Sequence, residues 1–153
     1  MKPVPPAIDA SGPEGTQWFG GAVDRSSMTL RVGCSAEECE TVSRLLNYSG
    51  STSGKRWRLP APDSVGSNLD EQVQWILSRL TPDIAAWKRL AAQYKIDLFC
   101  GLFLERSNRG VTLRPETMRQ LAEREIELGF DIYAPDDDTA EQAAPSDARN
   151  ART

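Results

Sequence analysis

The chain contains no histidine. That absence removes Ser-His-Asp and Cys-His catalysis, histidine general bases, and every metal site that needs an imidazole. Long apolar runs are also missing, so nothing approaches the roughly 20 residues of a membrane-spanning helix. The opening Met1-Lys-Pro-Val-Pro-Pro6 has no apolar core of the kind a secretory signal needs. Cysteine is scarce and odd in number: Cys34, Cys39 and Cys100. Cys34 and Cys39 lack the two-residue gap, and the chain lacks the second pair, that a zinc site shows. We expect small buried thiols in a reducing cytoplasm, with no metal, no cofactor and no membrane.

What is present reads as one ordinary domain. The 153 residues are 39% hydrophobic and 26% charged, the proportions of a globular protein with a single core. The formal charge of −4 is unevenly spread. From Pro135 to Thr153 five acids face two arginines, a net of −3, which leaves only −1 for the rest. A near-neutral body argues against non-specific polyanion binding.

Residues 1–16 hold Pro3, Pro5, Pro6, Pro13, Gly12 and Gly15, the composition of an extended leader. Residues 135–153 read as a disordered acidic tail, and 17–134 as the folded α+β domain. Within it, Met28–Gly33 alternates as a strand, and Ser35-Ala-Glu-Glu38 is a capping box opening a helix to about Asn47. Ser49–Gly54 is a loop and Lys55–Leu59 a second strand, closed by Pro60 and Pro62. Leu69, Val73, Ile76, Leu77 and Leu80 form one helical stripe, with charges and amides opposite. Thr81-Pro82 restarts a helix carrying Ile84, Trp87, Leu90, Ala91 and Tyr94, with Thr81 as its cap and a bend at Pro82.

Ile96–Glu105 is apolar on both faces in its middle, so it belongs inside the sheet. Asn108-Arg-Gly110 is a turn, and Val111–Leu113 a short strand extension. Pro115 opens a helix carrying Met118, Leu121 and Ala122, and Leu128–Tyr133 is the last strand. The order predicts an α+β domain with a ferredoxin-like sheet of four to five strands and helices on one face.

Four segments in this order carry a resemblance: Trp57-Arg-Leu59, Leu69-Asp-Glu-Gln-Val-Gln-Trp-Ile-Leu77, Leu98-Phe-Cys-Gly-Leu-Phe103 and Phe130-Asp-Ile-Tyr133. Together they resemble the bacterial family known as domain of unknown function 4279, over roughly Met28 to Pro135. The resemblance implies a small α+β domain of a bacterial cytosol and supplies no reaction, cofactor or catalytic residue. Some small families of this kind are associated with immunity to toxins, which adds a candidate role by analogy.

The strand alternations sort residues between the two faces of the sheet. Leu30, Val32, Trp57, Leu59, Leu98, Cys100, Leu102, Phe130 and Ile132 are expected to face the helices. Arg31, Arg56, Arg58, Asp97, Phe99, Gly101, Phe103, Asp131 and Tyr133 then share the other, open face. These aromatics pack there under the Gln17-Trp-Phe19 segment or a second subunit, or the face receives a partner. Asp97 and Asp131 are candidates for a carboxylate pair, although three arginines beside them suit a salt-bridge network better than proton transfer. Neither Gly20-Gly21 nor Gly50–Gly54 has the lysine and following helix of a phosphate-binding loop.

The expectation is a non-catalytic protein-binding module, with an immunity-type inhibitor among its roles and self-association as the second form of partnership. The alternative is a nucleic-acid or small-ligand platform on the same face; the carboxylates weigh against nucleic acid.

Overall fold

A computed structural model describes residues 21–106 and 108–134. The expected leader, the Gln17-Trp-Phe19 segment and the acidic tail lie outside the described residues. The elements in chain order are β1 (Gly21–Ala22), β2 (Arg25–Gly33), α1 (Cys39–Leu46), β3 (Ser51–Thr52) and β4 (Arg56–Pro60). Then come a 3-10 turn at Asp63–Val65, α2 (Leu69–Ser78), α3 (Ile84–Ala91), β5 (Ile96–Phe103), β6 (Arg109–Gly110), α4 (Pro115–Glu123) and β7 (Glu127–Tyr133).

The main sheet has five strands in the order β3-β4-β2-β5-β7. Strand β2 pairs antiparallel with both β4 and β5, while β5 and β7 run parallel. The α+β expectation holds, and the ferredoxin-like expectation reaches only as far as the layering. A split β-α-β has a third strand inserted between its two parallel strands. Here β5 and β7, joined through α4, are direct neighbours.

The core lies between the sheet and its one helical layer. Met28, Leu30 and Val32 of β2, Trp57 and Leu59 of β4, and Leu98, Cys100 and Leu102 of β5 belong to the same buried cluster as Val42, Leu46, Val73, Ile76, Trp87, Leu90 and Leu121 from the helices. Each fully buried Leu or Ile contributes about 1.5–3 kcal/mol relative to an exposed one. Both buried indoles are satisfied: Trp57 Nε1 donates to Ser43 Oγ at 2.9 Å and Trp87 Nε1 to the Thr81 carbonyl at 2.9 Å.

Local expectations hold with several corrections. The capping box is formed, with Ser35 N–H donating to Glu38 Oε2 at 2.7 Å and Glu38 N–H to Ser35 Oγ at 3.3 Å. The helix itself begins at Cys39. The cap of α3 is Asp83, whose Oδ1 accepts from Ala85 N–H at 2.9 Å; Thr81 Oγ1 instead accepts from Asp83 N–H at 3.2 Å. The Ser49–Gly54 loop contributes β3, which pairs with β4. Val111–Leu113 is not a strand. The extension is instead β6, which pairs in parallel with β1 to make a separate two-stranded sheet. Asp24 fastens that corner, accepting from Glu105 N–H at 2.8 Å and from Arg109 Nε at 3.2 Å.

Four apolar expectations fail on coverage. Met118 and Ala122 are exposed, and Thr117 joins Leu121 as the buried part of α4. Phe130 and Ile132 sit in register with core residues Cys100 and Leu102, so they do face the helical side. They are nonetheless 45% and 61% exposed, because β7 is the outermost strand and the helical layer stops short of its C-terminal half.

Candidate recognition face on the open side of the sheet

Strand register arranges the open face in rows. Arg58, Arg31, Asp97 and Glu127 lie opposite one another across β4, β2, β5 and β7. The next row is Pro60, Thr29, Phe99 and Gly129, and the next Ser27, Gly101 and Asp131. The last is Arg25, Phe103 and Tyr133. Arg56 lies opposite Gly33 at the other end. All the residues expected on this face are therefore on it, but they do not form one cluster.

The first row is built around an ion pair. Arg31 Nε donates to Asp97 Oδ1 at 2.8 Å and Nη2 to Oδ2 at 2.5 Å, a two-pronged contact that fixes both planes. Donating to Asp97 raises the pKa of the Arg31 guanidinium above its ordinary value. The same guanidinium lies 4.5 Å from the Phe99 ring centroid, so one arginine engages both the acid and the aromatic. Glu127 is met by Lys95 Nζ at 3.0 Å, an exposed pair of little energetic weight. Among the described residues, Arg56 and Arg58 have no ion-pair partner.

The far row is a stack. The Phe103 and Tyr133 rings lie 4.8 Å apart and 7° from parallel, and the Arg25 guanidinium sits 3.6 Å from the Phe103 centroid. Tyr133 hydroxyl donates to Asp131 Oδ2 at 2.6 Å, and that bond pushes the phenol up from its ordinary value. Gly101 makes room for the stack: a Cβ there would meet Ser27 Oγ at 2.8 Å and the Phe103 ring at 3.3 Å. The bare glycine is covered by Phe103 together with Ser27 Oγ, while Phe99 contacts Arg31.

The candidate carboxylate pair is not formed. Asp97 lies opposite Glu127, and Asp131 four residues further along the same strand. At about 3.3 Å per residue the two acids are roughly 13 Å apart. Asp97 also has both oxygens occupied by Arg31. The thiols are equally unsuited to chemistry. Cys34, Cys39 and Cys100 are buried, and burial pushes the thiols of Cys34 and Cys100 up to about 11. The Cys34 and Cys39 sulfurs are 2.9 Å apart, a contact that the five-residue spacing did not announce.

Arg25 was missed because the expected strand began at Met28. Continuing the alternation back from Arg31 through Thr29 and Ser27 reaches Arg25 on the same face, but the paired serines interrupt the apolar signal.

Residues 27–135 match the family described as Domain of unknown function (DUF4279). The chain belongs to this family. The matched span begins inside β2 and runs past the end of β7, so it contains β3, β4, β5 and β7, all but the first two residues of β2 and the four described helices, and omits β1. No curated protein matches the chain, and neither does any solved structure. The DUF4279 span includes every residue of the rows described above except Arg25, so the arginine–aromatic stack straddles the family boundary.

Proposed function

We propose that the chain is a non-catalytic protein-binding module that receives its partner on the open sheet face. The observation that carries this reading is the combination, on a face with no helix among the described residues, of Arg56 and Arg58, which have no ion-pair partner among those residues, with the Arg25–Phe103–Tyr133 stack at the other end. Arginine and tyrosine are the residue types that dominate binding energy at protein interfaces. Arg31 is paired with Asp97 and Arg25 lies on the Phe103 ring, so among the described residues the cations of this face engaged by neither an acid nor a ring are those of β4, and the complementary partner presents carboxylates there and a planar or apolar group to Tyr133. An immunity-type inhibitor, which occludes a toxin, works by contacts of this kind, and a toxin gene beside this one is the observation that would single out that role. Buried, reduced thiols fit a bacterial cytosolic setting.

A second reading draws on the same stack: an aromatic ring beside a guanidinium also accepts an unpaired base. Asp131 and Glu127 on that face oppose phosphate, which places this reading behind protein recognition.

The test compares affinity capture by the wild-type chain with that by Arg56→Glu/Arg58→Glu and by Tyr133→Ala. All three positions lie on the surface of the face, so melting temperatures should change little. One partner enriched by wild type and lost from both variants supports the proposal. Equal capture by all three overturns it. Salt-sensitive binding of single-stranded oligonucleotides promotes the second reading, and hydrolytic turnover abolished by Asp131→Asn would overturn both.

A further inference from the structure

We infer that the free edge of β7 pairs antiparallel with β7 of a second copy of the chain, on a two-fold axis through Phe130. The edge is a surface separate from the open face, and this inference stands whether or not that face captures a partner.

Among the described residues the strand is outermost in the sheet, with β5 on one side only. Tyr133 carbonyl accepts from Leu104 N–H at 2.9 Å, so Tyr133 turns its backbone polar groups toward β5. By strand alternation Asp131, Gly129 and Glu127 do the same, and Leu128, Phe130 and Ile132 turn theirs outward. The side chains of those three point to the helical side, where Phe130 and Ile132 are 45% and 61% exposed. An unpaired edge backbone and an uncovered apolar stripe thus coincide on one strand, the combination that templates strand addition.

The self-complementary sequence of the strand points to a second copy as the occupant, and charge selects the register. An antiparallel two-fold pairing keeps both helical layers on the same side, so the two apolar stripes merge. Three such registers pair five or more residues of this seven-residue strand. Centred on Gly129, the pairing sets Glu127 opposite the second copy's Asp131, and centred on Asp131 it sets that acid opposite itself. Like charges directly opposite are unfavourable. Centred on Phe130, Asp131 meets Gly129, Glu127 meets Tyr133, Leu128 meets Ile132, and Phe130 meets Phe130. This register pairs all seven residues, opposes no two carboxylates, and places every outward-facing backbone group in a hydrogen-bonded pair.

The test uses the full chain with cysteine placed on and off the axis. Opposed residues in a hydrogen-bonded pair have Cα atoms about 5.5 Å apart, within disulfide range. Under mild oxidation Phe130→Cys should give a covalent dimer while Ile132→Cys, offset by roughly 13 Å from its own mate, should not. The native thiols are buried and do not compete. Sedimentation over a dilution series should show a reversible dimer for wild type and a monomer for Phe130→Lys. Gly129→Asp, which faces Asp131 across the pair, should weaken the dimer by roughly tenfold, and Gly129→Lys should not. A wild-type monomer at every concentration, a dimer that survives Phe130→Lys, or equal crosslinking at 130 and 132 overturns the inference. Should Phe130→Lys fail to fold, the Gly129 pair reads the same register without touching the apolar stripe.

Discussion

At Gly50 the constraint is space, because a Cβ built there would lie 2.2 Å from Cε2 of Trp57 and 2.6 Å from its Nε1. Backbone conformation is not the cause, since the glycines with positive φ are Gly54 and Gly66. The indole cannot retreat: Trp57 is fully buried, its Nε1 is held by Ser43, and Tyr48 meets it edge-on at 6.4 Å. Gly50→Ala should therefore destabilise the fold by about 3 kcal/mol, the upper end of ordinary overpacking. A urea titration reads this directly, and a double-mutant cycle assigns it: in a Trp57→Leu background the same change should cost much less. Nothing in the glycine-rich Ser49–Gly54 stretch distinguishes Gly50 from Gly54, because a steric requirement set by a residue across a hairpin leaves no local mark.

Between elements, the joint of α2 to β2 rests on an amide that helical periodicity places on the wrong side. Gln72 was grouped with the solvent face, yet it is buried, donating Nε2–H to the Gly66 carbonyl at 2.7 Å and to the Ser26 carbonyl at 3.2 Å. Ser26 Oγ shares its single proton between the Ser67 carbonyl at 2.9 Å and Gln72 Oε1 at 3.2 Å. Gln72→Leu fills similar volume but strips a partner from the buried Ser26 carbonyl, and should cost about 2 kcal/mol with an unchanged urea m-value. Glu71→Leu, one residue away and exposed, should stay within about 0.5 kcal/mol. The contrast shows what was legible and why. Alternation in β2 and β5 was readable because both strands are paired on both sides, and it correctly put Arg31 and Asp97 on one face, where the register sets them opposite each other. For β7 it gave the right face and the wrong burial, since a period of two says which way a side chain points and nothing about what covers it. The β1–β6 pairing depends only on two distant backbones meeting at the Asp24–Arg109 contact, so no local pattern announces it.

For the molecule as a whole, the decisive feature is that one apolar cluster draws on the three long antiparallel strands and all four helices. Trp57 enters it from the sheet and Trp87 from α3, and both are fully buried. No described element has a second core to retreat to, so local loss of either tryptophan's surroundings removes contacts from the other's layer. Domains built this way unfold in a single cooperative step. Urea unfolding followed by tryptophan emission and by far-ultraviolet circular dichroism should therefore give superimposable transitions. Variants that remove Trp87 or Trp57 by Phe substitution should shift both probes together rather than one alone. A fluorescence transition that precedes the loss of secondary structure would show the helical layer detaching from the sheet, and would contradict the single-core account on which the placement of the open face depends.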